Sequence, residues 1–260
     1  RYGTVTGVQT CALPIWPLPA SAQDSNFVGS ADCQQCHPAV YEQWQQSHHH
    51  DAMLSANESS VLGDFDDGTF THFDVTTKFF RRDGEFFVST QNAEGKAADF
   101  RVAYTFGIEP LQQYLIEFPD GRMQALNIAW DSRPIEEGGQ RWFHLHPDEP
   151  VPAGDVLHWT GHFYNWNLRC AECHSTQLEK NFSLAENRYD TSWQEINVGC
   201  EACHGPARQH LAWAQDTDRG LPNKGFEHDI ANHNQWLPSA TTARRAESSM
   251  QSSQLDICAP

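Results

Sequence analysis

A mainly α-helical chain with irregular loops, interrupted by a β-hairpin-rich insertion, is the fold class that three observations predict. The pentapeptide Cys-x-x-Cys-His occurs three times: Cys33-Gln34-Gln35-Cys36-His37, Cys170-Ala171-Glu172-Cys173-His174 and Cys200-Glu201-Ala202-Cys203-His204. Between the first two copies, residues 61–148 contain no cysteine and alternate in the manner of strands. Aliphatic runs are short while aromatic residues are plentiful, so side chains alone supply a modest core.

CxxCH is the attachment signature of c-type haem. On one helical turn the two thiols lie three residues apart on the same face, where both can form thioethers to the vinyl groups, and the following His points at the iron. The predicted helices therefore pack around covalent haems, three haem c in all. A tetrahedral zinc site is the alternative, but it gives no reason for His to follow the second Cys every time. Six of the eight cysteines sit in the motifs, which leaves Cys11 and Cys258 and no disulfide framework.

Residues 1–15, with Val5-Thr6-Gly7-Val8-Gln9-Thr10-Cys11, read as a translated sequencing adapter and are set aside; a genuine apolar leader is the alternative. Residues 16–26 read as the remnant of a signal peptide and linker, with Ala20 and Ala22 in the small positions of a cleavage site. At the other end, Asp256-Ile257-Cys258-Ala259-Pro260 stops where Cys-His would complete a fourth motif, so a fourth haem attached at Cys258 is expected in a longer protein. A net charge of −17 speaks against nucleic acid or an anionic membrane surface and for a redox partner with a basic docking face, or for simple solubility. No stretch approaches the length of a membrane span.

The first haem segment, residues 27–60, carries a motif, then Pro38 at a helix start and Val40, Tyr41, Trp44 and Ser47 at helical spacing. In the β-rich insertion, residues 61–148, Lys78-Phe79-Phe80-Arg81-Arg82 and Glu85-Phe86-Phe87-Val88 flank Asp83-Gly84, a two-residue hairpin signal. Residues 100–106, 112–118 and 122–130 are further strands, with Pro119-Asp120-Gly121 as the turn between the last two. The second and third haem segment, residues 149–260, is expected to return to helix and to pack its two motifs close together.

Each iron needs a second axial ligand unless it is a reaction site. Eleven His remain beside His37, His174 and His204, against three methionines (Met53, Met123 and Met250), so bis-His ligation is expected, with the lower potential that goes with it. His49 ranks first, closing Trp44-x-x-Ser47-x-His49, with His48 or His50 in its place if the register differs. His210 follows, past the Gly205-Pro206 break. His158 and His72 compete for the third place. His144, His146, His162, His228 and His233 are read as structural, and any of the candidates could equally be a surface or core residue.

Cys33-x-x-Cys36-His37-Pro38 with Trp44, Ser47, His49 and Ala52-Met53, then Asn165-Trp166-Asn167 before the second motif, then Gly199 before the third and Gly205-Pro206 with His210 after it, resemble the multihaem c-type cytochrome family of the cytochrome c-552/4 type. The resemblance spans residues 27–213. It implies proximal roles for His37, His174 and His204, distal candidacy for His49 and His210, and haem attachment outside the cytoplasm, so that the protein is periplasmic or otherwise exported. Residues 104–107 and 114–115 look like the β-containing insertion of some members, several of which continue into tetratricopeptide repeats. Three functions follow. The leading one is electron transfer through haem rather than catalysis. The second is a multihaem reductase or oxidase of a small nitrogen or sulfur compound with one open iron, for which Arg81, Arg82, Arg101, Tyr104 and Arg122 form the one noticeable cluster. The third is a haem-based sensor or scaffold fused to repeats.

Overall fold

The computed structural model describes residues 26–215 and 219–227, together with the paired segments Trp236–Leu237 and Arg244–Arg245. The expected adapter, nearly all of the signal remnant, His228, His233, Met250 and Cys258 lie outside the described residues.

The mainly helical expectation is corrected: the chain is mainly β. Among the described residues the α-helices are α1 (Ser30–Gln34), α2 (Pro38–Gln45), α3 (Trp166–Arg169), α4 (Ala171–His174), α5 (Glu201–His204) and α6 (Arg208–Ala214), and none of these exceeds eight residues. The physical reason is that CxxCH needs only one turn to set its Cys and His. Nothing in the flanking sequence propagates that turn, and past the third motif Gly205 takes φ 76° and ends it. α2 begins with Pro38 in its first turn, as expected, and buries no residue of its own.

Nine strands form one antiparallel sheet: β1 (Met53–Ser55), β2 (Gly68–His72), β3 (Val75–Arg82), β4 (Glu85–Gln91), β5 (Ala97–Phe106), β6 (Leu111–Glu117), β7 (Met123–Ala125), β8 (Ile128–Asp131) and β9 (Arg141–His144). Their order is β2-β3-β4-β5-β6-β8-β9, with β1 on β5 and β7 on β6. The β3–β4 hairpin turns at Asp83 (φ 54°) and Gly84 (φ 81°), with Arg82 opposite Glu85, which is the tight turn that Asp-Gly signals. β5 changes partners halfway. Its first half pairs with β4 and its second half with β1 and β6, with a bulge between Val102 and Tyr104 that bends the strand. Residues 122–130, expected as one strand, divide into β7 and β8 where Leu126 donates its N–H to the Tyr114 carbonyl. Bent in this way, the sheet curls until its end strands meet. His72 of β2 stacks on His144 of β9 at 3.7 Å and 7°, and Phe79 of β3 stacks on Trp142 at 3.5 Å and 4°.

Inside this nearly closed barrel Phe65 is the hub, set edge-to-face against Phe79, Phe86, Tyr114 and Trp142. A second core lies on the outer face, where Met53, Leu115, Met123 and Ala125 pack against Trp166 and Ala171. Two-sided burial explains β6: Tyr114 and Ile116 point into the barrel while Leu115 points to the outer core, so the strand loses the polar alternation of a half-exposed one. Asn167 ties the layers together. Fully buried, it accepts from Met123 N (2.8 Å) and donates to Gly121 O (3.2 Å) and Thr191 Oγ1 (2.8 Å). Beyond the second motif, β10 (Phe182–Ser183) and β11 (Arg188–Tyr189) form a short hairpin.

Candidate functional site: three CxxCH turns

Each motif is one hydrogen-bonded turn. Cys36 N and His37 N donate to Cys33 O (3.3 and 2.9 Å), Cys173 N to Cys170 O (3.1 Å), and Cys203 N and His204 N to Cys200 O (3.2 and 3.0 Å). In every copy the first Cys is half-buried and the second exposed. Asn165 caps the helix that delivers the second motif, its Oδ1 accepting from Leu168 N at 3.0 Å, and Trp166 anchors that helix in the outer core.

The first and third motifs are joined across the length of the chain. Glu201, inside the third motif and 2% exposed, accepts from Val28 N (3.0 Å), Gly29 N (2.6 Å) and Ala207 N (2.8 Å). Ser30 Oγ donates to Glu195 Oε2 (2.8 Å) and accepts from Cys200 N (2.9 Å). The Cys33 Sγ sits 3.8 Å from the Gly29 carbonyl, with Cys200 as its neighbour across the latch. The neighbouring Cys200, with burial, pushes the Cys33 thiol up, whereas Cys33 and then Ser30 lower Cys200. Between the second and third motifs, Thr176 Oγ1 donates to Asn197 O and accepts from Gly199 N, both at 2.8 Å.

The His37 and His210 ring centroids lie 6.3 Å apart with their planes 20° from parallel. His210 Nδ1 bonds the Lys224 carbonyl (2.9 Å), which leaves Nε2 for another partner. Phe226 packs on His210 (4.4 Å) and His204 (6.0 Å). Burial, reinforced by the charges of His210 and His37, lowers the His204 pKa. His174 is lowered by burial; its Nδ1 lies 3.4 Å from the Ala52 carbonyl and its ring 4.3 Å from Phe106. Among the three consecutive His, His50 is held by Asp51 (2.7 Å) and by the edge of Trp44, and His48 sits 3.8 Å from Glu109. His49 is fixed to the third motif through its main chain, accepting from Val198 N (3.2 Å), while Trp44 Nε1 donates to Val198 O (2.9 Å).

His158 and His72 come together at the barrel seam, where both line a cavity of about 210 Å³ with His144. His158 bonds Thr160 Oγ1 (2.8 Å), and burial lowers its pKa. Of the expected charged cluster, Arg81 pairs with Glu58 and Asp66, Arg82 with Asp99, Arg101 with Glu85 and Arg122 with Asp120. Arg101 and Tyr104 line a second cavity of about 550 Å³ with Trp193 and Tyr189. Glu201, Ser30, Glu195 and Phe226 are missed by sequence reading, since their partners lie far along the chain and no local pattern marks them.

The donor set fits covalent haem: two thiols on one turn with one facing outward, a following imidazole, and imidazoles whose second nitrogen is bonded or near a main-chain carbonyl. The fold and site together define a β-barrel beside three CxxCH turns. A family model described as cytochrome c554 and c-prime matches residues 32–66 and 158–205, the two stretches that hold all three motifs, so in these stretches the chain is similar to a family of c-type cytochromes. This meets the resemblance read from the sequence at the level of c-type cytochromes, a class that implies covalently bound haem c. Among solved structures, the chain is similar to the outer cell wall cytochrome OcwA at TM-score 0.44 and 18% identity, over 74% of this chain and 34% of that one. The chain thus spans about a third of that protein's length. No curated protein matches the chain.

Proposed function

We propose that this chain belongs to an exported multihaem c-type cytochrome that carries three haems and transfers single electrons. The observation that carries the proposal is the set of three CxxCH turns, with the His37 and His210 ring centroids 6.3 Å apart. Two imidazoles that share one metal through bonds of about 2 Å have their ring centroids about 6 Å apart. On this reading Cys33 and Cys36, Cys170 and Cys173, and Cys200 and Cys203 hold the haems. His37, His174 and His204 are the proximal ligands. His210 is the distal partner of His37, and His49, tied to Val198, serves the third site. Met53 and Met123 are buried in the outer core, which favours bis-His ligation. Bound haem supplies reversible one-electron chemistry. The protein orients the imidazoles through main-chain carbonyls and holds the first and third sites together through Glu201 and Ser30.

The charge of −17 supports a redox partner with a basic docking surface, and the Ala20-x-Ala22 pattern supports export. No helix among the described residues is long and apolar enough to cross a membrane. The test is to express the chain with an export signal in a cytochrome-maturing host and count covalent haem by the pyridine haemochrome spectrum. Three per chain is expected; none, with zinc found instead, overturns the proposal.

A further inference from the structure

The barrel seam holds hydrogen-bonding capacity that electron transfer does not use. His72 of β2, His144 of β9 and His158 of the loop before α3 line the cavity of about 210 Å³. The other buried polar side chains of its wall are satisfied: Thr77 and Thr90 bond each other at 2.8 Å, and Asn127 Nδ2 donates to Leu157 O at 3.3 Å. The imidazoles are not. His72 Nε2 is buried with no partner, and Nε2 of His144 and His158, residues only 5% and 4% exposed, makes no hydrogen bond among the described residues. The main chain decides where the proton of each ring sits. His146 N–H donates to His144 Nδ1 (3.0 Å), and the N–H (3.4 Å) and hydroxyl (2.8 Å) of Thr160 meet His158 Nδ1. A main-chain N–H must donate, so both Nδ1 atoms accept and each neutral ring carries its proton on Nε2. Burial lowers both pKa values, which keeps the two rings neutral at pH 7. A protonated Nε2 does not ligate a metal, and no trio of side chains among the described residues is placed to hold one.

We propose that the seam cavity binds a small monocarboxylate, whose oxygens accept from the imidazole N–H groups of His144 and His158 with His72 beside them, and whose short tail lies against Val75, Ile128 and Trp159. Donors on the wall call for an acceptor, and an ionised acceptor binds N–H about twice as strongly as a neutral one. The matching amide replaces one oxygen by an NH2 group, which sets donor against donor. Phosphate and sulfate bring no tail for the apolar wall, and the exposed carboxylate of Asp74, which also lines the cavity, opposes two negative charges more than one. At about 30 Å³ per water the cavity has roughly the room of seven waters, enough for an acid of about four carbons. The site belongs to the barrel and stands independently of the haem count.

The experiment melts the full chain, matured in a cytochrome-maturing host, at pH 7 with circular dichroism as the readout, in sodium butyrate, butyramide or sodium chloride at equal concentration. A ligand of about six heavy atoms is expected to bind with a Kd on the order of 1 mM. Butyrate at about 20 mM should then raise the melting temperature by about 4–7 °C, and butyramide and chloride should leave it in place. His72→Phe keeps a ring stacked on His144, and His158→Phe keeps an aromatic side chain in the wall. Each removes one imidazole, and a site about tenfold weaker retains about 2 °C of the shift. A butyrate shift no larger than that of chloride, as water alone in the cavity would give, overturns the proposal. So does an equal shift with butyramide, or a full butyrate shift in either variant. The comparison of butyrate with butyramide is made on the parent chain, so it decides the matter even where a variant does not fold.

Discussion

Lowering the pH from 7 to 5 should open the barrel at its seam, through His144. This residue is 5% exposed, lies flat against His72 at 3.7 Å, and uses Nδ1 to meet the main chain of His146. Burial, with the nearby His72, His146 and His158, lowers its pKa to about 4. Between that value and the ordinary range near 6.5 the unfolded chain binds the extra proton and the folded barrel refuses it. Stability from this group is therefore complete above 6.5 and is lost as the pH falls toward 4. A shift of that size, discounted for relaxation around the partly solvated cavity, gives a loss of about 1–2 kcal/mol between pH 7 and pH 5. The assay is urea unfolding followed by tryptophan fluorescence, where such a loss moves the midpoint down by about 0.5–1 M. His158 shifts in the same direction, so the informative quantity is the difference from His144→Phe, which keeps an aromatic ring on His72 and cannot titrate. The variant should lose less stability on acidification. Equal losses in parent and variant, or a parent that gains stability at pH 5, would refute the reasoning.

The other expectations concern the core and the ligands. Phe65→Ala removes the hub of four aromatic contacts and should cost about 3–5 kcal/mol, read as the unfolding free energy at pH 7. Tyr114→Phe leaves Gly63 N–H and the Gln112 side-chain Oε1 without the phenol that joins them at 2.9 Å, and should cost about 1–2 kcal/mol in the same measurement. In the haem-loaded protein, His210→Ala should turn about one third of the haem from six-coordinate low-spin to a form that binds carbon monoxide when reduced. An unchanged visible spectrum would remove His210 from the ligand set.

What was legible in the sequence is what local geometry decides. Asp83-Gly84 made its hairpin and Pro119-Asp120-Gly121 its turn, and Pro38 opened its helix, because a turn type or a fixed φ depends on a few adjacent residues. The turn of each CxxCH motif follows from the motif itself. The error lay in extending those turns into a helical fold, since a half-buried Cys and one N–H bond say nothing about the next ten residues. β1 and β9 were missed for a related reason: Met53–Ser55 and Arg141–His144 are too short to show a period, and distant partners, β5 and β8, make them strands. The pairing of the first and third motifs hung on Glu201, which in sequence is only the variable position of CxxCH. His144 reads locally like any other His, and only the closing of the sheet sets it against His72.

The strand departing after the first haem segment and the helix returning before the second meet almost where they part. Ala52 O lies against His174, Asn197 Nδ2 donates to His50 O, and Met53 packs in the same cluster as Trp166. The barrel is thus a cassette with neighbouring ends, and the two stretches of the family match, 32–66 and 158–205, lie largely outside it. A cassette whose ends coincide can grow, shrink or be exchanged without displacing its hosts.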